Sequence, residues 1–158
     1  MNKEISQLPT SISLLFDNKY LEFMVILCIM HGFKRRTAGV PIEELVYYFT
    51  LVNAIEPNGE GYKIDNRFIQ NIYLDTLDGI KSRLIVLGQE GLVTLLADKK
   101  AERVNLKVCC TENGYRVANE LTSEFYKEVF AKCKYLQENL SFSPKNKLIV
   151  WRNPWGRY

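Results

Sequence analysis

Residues 84–114 read LIVLGQEGLVTLLADKKAERVNLKVCCTENG, and three patterns in succession there decide the fold. Leu84 and Leu87 continue an apolar stripe with Ile80 and Gly88 on one face of a helix over Asp75–Glu90. Gly91 stands where a chain leaving a helix needs a left-handed residue, and Leu92 to Ala97 then reads as a strand. Val104, Leu106, Val108 and Cys110 alternate with Arg103, Asn105, Lys107 and Cys109. That period of two suits a half-buried antiparallel strand and no helix. The polar stretch Asp98 to Glu102 joins the two strands as a hairpin loop, and inward positions are expected at Val104, Leu106 and Val108. Thr111 offers a hydroxyl N-cap to one long helix in which Ala118, Leu121, Phe125, Val129, Cys133 and Leu136 keep helical spacing.

Upstream, Asn66 to Tyr73 is weakly helical, and Glu56 to Gly61, with Pro, Asn and two Gly, reads as a loop. Ile42, Leu45, Val46, Phe49 and Val52 mark an amphipathic helix with Pro41 in its first turn. Before it lies a charged loop, Phe33 to Gly39. Lys19 to His31 is apolar except for Glu22 and reads as a central core helix, capped by Asp17 or Asn18 and stopped by Gly32. Residues 1–18 form a leader in which Leu14, Leu15 and Phe16 can dock on the body. The expected fold is mainly α with a small β-hairpin, an α+β domain over residues 1–140. Residues 141–158 form an aromatic and basic tail.

Composition excludes several function classes. The chain has 158 residues and is 47% hydrophobic, enough to bury a core, and its net charge of +3 does not by itself mark a nucleic-acid binder. The longest apolar run, Phe23 to Met30, is too short for a bilayer, and Met1 to Ile5 lacks an export signal, so a cytoplasmic protein with no membrane role is expected. Cys28, Cys109, Cys110 and Cys133 lack Cys-x-x-Cys spacing, and His31 has no second His one turn away; ordinary thiols are expected, with neither disulfide nor metal. No phosphate-cradling Gly motif occurs. Glu43 and Glu44 suit the positive end of a helix dipole better than acid–base catalysis. No catalytic residue and no cofactor are expected.

A helix ending in Leu84-x-x-Leu87-x-x-x-Gly91, a basic-tipped hairpin and Thr111-Glu-Asn-Gly114 opening a further helix together resemble a winged helix over about residues 41–136. In whole-chain layout the sequence is similar to the small middle components of bacterial ABC-three-component systems, including the Lamassu-type antiphage defence complexes. That resemblance implies a non-catalytic accessory subunit that contacts an SMC-like ATPase and an effector such as a nuclease. The competing class is a winged-helix transcriptional regulator, whose recognition helix would be Asp75–Glu90. Within that span Lys81 and Arg83 are outnumbered by Asp75, Asp78 and Glu90, which disfavours a helix laid against phosphates. Weak, sequence-independent contact with a DNA backbone is assigned to Lys34, Arg35 and Arg36 and to Lys99 and Lys100. The tail residues Trp151, Arg152, Trp155 and Tyr158 are assigned to a partner protein, since Trp, Tyr and Arg dominate interface hot spots. An equal alternative is that Leu148 to Trp151 adds an edge strand to the chain's own hairpin.

Overall fold

The first described element is a long helix, α1 (Thr10–His31). The computed structural model describes residues 10–67, 69–100 and 103–151, with side chains for 19–67, 69–97 and 105–150. No Gly or Pro falls between Thr10 and His31, so helical bonding runs on until Gly32, and Asp17 and Asn18 lie inside the helix instead of capping it. From Met24 to Met30 every side chain is buried. A bend through residues 32–39, closed by Gly39 at φ 93°, leads to β1 (Val40–Pro41). Pro41 therefore precedes α2 (Ile42–Ala54) as its N-cap residue, with φ −57° and ψ 143°, and does not form its first turn.

Glu56 to Gly61 is not a loop but part of a hairpin, β2 (Ile55–Asn58) and β3 (Gly61–Ile64), with pairing running from Ile55↔Ile64 to Asn58↔Gly61. Gly59 at φ 64° makes the reversal. Pro57 and the glycines mask the strands because β2 and β3 are a separate two-stranded ribbon, held by the Tyr62 and Tyr135 rings, whose centroids lie 5.0 Å apart, more than by a run of apolar residues. Next, α3 (Ile69–Gln89) takes in both the weakly helical stretch and the secure one. Gly91 at φ 74° reverses the chain as expected, with Leu92 N–H bonded to Leu87 O at 2.9 Å.

β4 (Val93–Lys100) and β5 (Arg103–Cys110) pair from Val93↔Cys110 to Lys100↔Arg103. The strands thus run further than the sequence pattern indicates, and the expected loop over Asp98–Glu102 shrinks. β1 adds to the other side of β5, Val40 opposite Val108, for a sheet order of β1-β5-β4. Of the expected inward residues only Val108 is fully buried; Leu106 is half-buried, and the side chain of Val104 lies outside the described set. Leu95 and Leu96, opposite Val108 and Lys107 on the edge strand β4, are exposed.

Thr111 does cap the next helix, α4 (Glu112–Asn119), its Oγ1 accepting from Gly114 N–H at 3.1 Å and donating to Gly91 O at 2.6 Å. The expected long helix is however two, because Ser123 starts a second cap and α5 (Glu124–Asn139) begins there. The break re-phases the apolar face: Val129, Cys133 and Leu136 are buried while Phe125 is exposed. A last turn, α6 (Leu148–Trp151), packs on α2 and α3. The boundary after Leu140 therefore falls inside the folded body. Val150 is fully buried, Tyr48 Oη accepts from Phe142 N–H at 2.9 Å, and Tyr47 Oη donates to Leu140 O at 2.7 Å. Leu148 to Trp151 is helical and adds no strand to the hairpin.

Two glycines set a test of this packing. A Cβ on Gly114 would collide with the Leu92 carbonyl and Cys110 Sγ, whereas one on Gly79, mid-way along α3, would meet nothing closer than the Arg83 guanidinium at 3.9 Å. Gly114→Ala is expected to destabilise by about 1–3 kcal/mol, and Gly79→Ala to stabilise by about 0.5–1 kcal/mol, in urea unfolding followed by circular dichroism. In the same assay Val108→Ala should cost about 2 kcal/mol and Leu106→Ala less, because only the former leaves a cavity in the core.

Candidate functional site

The bend after α1 carries Lys34, Arg35 and Arg36, and the pairing of β1 with β5 fixes it against the hairpin. Cys109 Sγ donates to Thr37 O at 3.6 Å, and Gly39 is packed against the Lys107 side chain. Lys34 and Arg35 are exposed and carry no ion pair among the described residues; the Lys34 ammonium lies over the Tyr115 ring at 5.3 Å. Arg36 is placed differently. Its guanidinium pairs with the carboxylate of Glu44, which is buried, and stacks on Phe33 at 5.2 Å. Glu44 is thus more than a helix-dipole acid: it holds the bend onto α2.

Lys99 and Lys100 are at the far end of β4, opposite Val104 and Arg103. At roughly 3.4 Å per residue, the span from Val108 to Arg103 puts about 17 Å between the bend and the hairpin tip. The bend residues and Lys107 therefore share the base of the hairpin, and Lys99 and Lys100 occupy its end. Trp151 closes α6. Arg152, Trp155 and Tyr158 lie outside the described residues.

A second surface is the outward face of α3. Leu74, Leu77, Ile85 and Val86 are exposed there, Leu74 and Ile85 by just over half. Of the helix's two cations, Arg83 is tied to Glu22 of α1 at 2.5 Å, leaving Lys81 exposed beside Asp75 and Asp78. A turn-by-turn reading of residues 74–86 finds these apolar positions outside the Ile80–Leu84–Leu87 stripe, so the signal was present in the sequence.

The third surface has no sequence signal. Where α1, α2 and α3 meet, a cleft of about 550 Å³ opens over Val25, Ile26, Phe49 and Ile80. Its polar lining is Asn53, Asp75, Thr76 and the Glu22–Arg83 pair. These come from three helices far apart in the chain.

The cysteines are free: Cys28 and Cys133 are buried, Cys109 and Cys110 half-buried. Burial pushes the Cys28, Cys110 and Cys133 thiols up to about 12. His31 donates through Nε2 to Asn119 Oδ1 at 2.9 Å and meets the Phe130 and Tyr115 rings edge-on. Among the described residues no group of three or more His, Cys, Asp or Glu is arranged to hold a metal ion, and no helix is long and apolar enough to cross a membrane.

Comparisons with protein-family models, with curated proteins and with solved structures give no match.

The thiol environments predict that iodoacetamide near neutral pH labels Cys109 first, while Cys28, Cys110 and Cys133 react only on unfolding. Mass spectrometry of digested protein reads this directly, and rapid native labelling of Cys28 or Cys133 contradicts the packing. Because these thiols titrate higher folded than unfolded, where about 8.5 is usual, their stabilisation is complete below that pH. It is lost as pH rises from about 8.5 toward 12. Arg36→Ala should cost about 1–3 kcal/mol by stranding buried Glu44, and Arg35→Ala close to nothing.

Proposed function

We propose that this chain is a non-catalytic accessory subunit of a defence complex built on an SMC-like ATPase, holding the ATPase and an effector such as a nuclease together. The proposal treats the domain as a winged helix. The order helix, short strand, helix, helix, hairpin, with the short strand on the second hairpin strand, supports that treatment, and the β2–β3 ribbon is then an insertion before the recognition helix. One observation carries the functional reading. α3, the element that would enter a major groove, exposes Leu74, Leu77, Ile85 and Val86, and one of its two cations is spent on Glu22. Duplex binding draws on cations that release counterions, whereas a protein interface draws on apolar side chains that leave water. The four exposed aliphatic side chains of α3, against its one exposed cation Lys81, favour the second.

The runner-up, a DNA-binding transcriptional regulator, finds support in the exposed Lys34 and Arg35 beside the hairpin. Those residues suit phosphate contacts, which position a duplex without reading its sequence.

The experiment is purification of the tagged chain from its own cells at native abundance. The expected result is stoichiometric recovery of a coiled-coil ATPase, reduced at least tenfold by Leu74→Asp combined with Ile85→Asp in a variant whose melting temperature is unchanged. Recovery of the chain alone, with tight binding to one duplex that Lys81→Ala abolishes, overturns the proposal in favour of the regulator. Any duplex binding by the isolated chain should be independent of sequence, and replacing Lys34 and Arg35 by Ala should lower the slope of log K against log salt by about two. A truncation that tests the tail belongs after Trp151, since one after Leu140 removes Val150 from the core.

A further inference from the structure

The cleft between α1, α2 and α3 is a different feature from the exposed face of α3 and does not depend on the functional reading above. We propose that it is a binding site for an amphipathic cation, a small molecule with an apolar body and one protonated amine or guanidine.

The size and walls suit such a ligand. About 550 Å³ lies within the usual range of small-molecule sites, and the floor of Val25, Ile26, Phe49 and Ile80 is apolar and already buried. The charge follows from an account of the polar lining. Thr76 gives its one hydroxyl proton to Ile72 O at 2.6 Å, so toward the cleft it offers lone pairs only. Asn53 commits one amide proton to Phe49 O at 2.8 Å, leaving its carbonyl oxygen and one N–H. Glu22 Oε2 takes Arg83 Nε at 2.5 Å, so the cation on this wall is neutralised in place. Asp75 carries a carboxylate without an ion pair among the described residues. Among the described residues the lining carries one net negative charge, that of Asp75, with acceptors on Thr76, Asn53 and the carboxylates beside the remaining Asn53 N–H and the Nη protons of Arg83.

Gly79 adds an independent observation. It lines the cleft in the middle of a 21-residue helix, where glycine is unfavourable, and no close neighbour demands its missing side chain. Its absent Cβ leaves the wall open beside Arg83.

The test uses three probes of one shape, 4-phenylbutylamine, 4-phenylbutan-1-ol and 4-phenylbutanoate, titrated into the full chain and followed by backbone amide NMR. The amine is expected to bind saturably, shifting the amides of Phe49, Gly79 and Ile80, at least tenfold more tightly than the carboxylate. Asp75→Asn, an exposed position that leaves the core intact, should weaken the amine about tenfold and leave the alcohol unchanged. Asp78→Asn, on the same helix but outside the cleft, should change neither. Equal or tighter binding of the carboxylate, an Asp75→Asn variant that holds the amine as well as the parent, or no saturable binding of the amine overturns the proposal.

Discussion

Seven consecutive side chains of α1, Met24 to Met30, are out of water together, and the rest of the structure is arranged around that constraint. A helix covered on all sides needs neighbours on all sides, and α2, α4, α5 and β5 supply them. At about 1.5–3 kcal/mol for each large apolar side chain removed from water, this segment is a major part of the core, alongside α2, whose residues from Glu44 to Val52 are all buried as well. It also fixes direction. Because α1 ends buried, the chain must bend sharply after His31, and that bend delivers β1 to the edge of β5. The basic residues of the bend therefore sit at the base of the hairpin and not elsewhere.

Ion pairs and phenol hydrogen bonds then lock elements whose apolar contacts alone leave them free to slide. Arg36 with Glu44 ties the bend to α2, Glu22 with Arg83 ties α1 to α3, and Lys147 with Glu43 ties the C-terminal segment to the start of α2. Tyr47 and Tyr48 bind the backbone at Leu140 and Phe142. The same contacts set the surface electrostatics. Arg36 and Arg83, which raise the apparent basicity of the sequence, are both neutralised at home, so the charge offered to a partner is smaller than composition implies.

This distribution divides α3 into three faces. Ile80, Leu84 and Leu87 face the core, Leu74, Ile85 and Val86 face outward, and Asp75, Thr76 and Gly79 line the cleft. A duplex-reading helix would spend its outer face on cations and amides, and this one exposes Leu74, Leu77, Ile85 and Val86 among polar residues of which Lys81 is the one exposed cation. The cleft lies where α3, packed on α2, meets α1 through the Glu22–Arg83 pair, with Gly79 in its wall.

The sequence by itself determined the elements whose signal is local. The alternation at Val104 to Cys110, the left-handed Gly91 and the Thr111 cap depend only on neighbouring residues, and all three stand in the structure. It also determined the helix over Ile42–Ala54 but not its burial: the spacing of Ile42, Leu45, Val46, Phe49 and Val52 reads as amphipathic, whereas every residue from Glu44 to Val52 is buried because neighbours cover the helix on all sides. Tertiary structure decided where a local rule met a competing contact. Pro57 and two glycines look like a loop until the ribbon is pinned by Tyr62 on Tyr135, and the helical spacing through Leu121 and Phe125 conceals the break that Ser123 caps. Leu148 to Trp151 has strand composition but buries Val150 best as a helical turn against α2 and α3. The cleft lay beyond sequence reasoning for the same reason. Glu22, Asn53, Asp75 and Gly79 are ordinary surface residues on three separate helices, and only the packing of those helices brings them to one place.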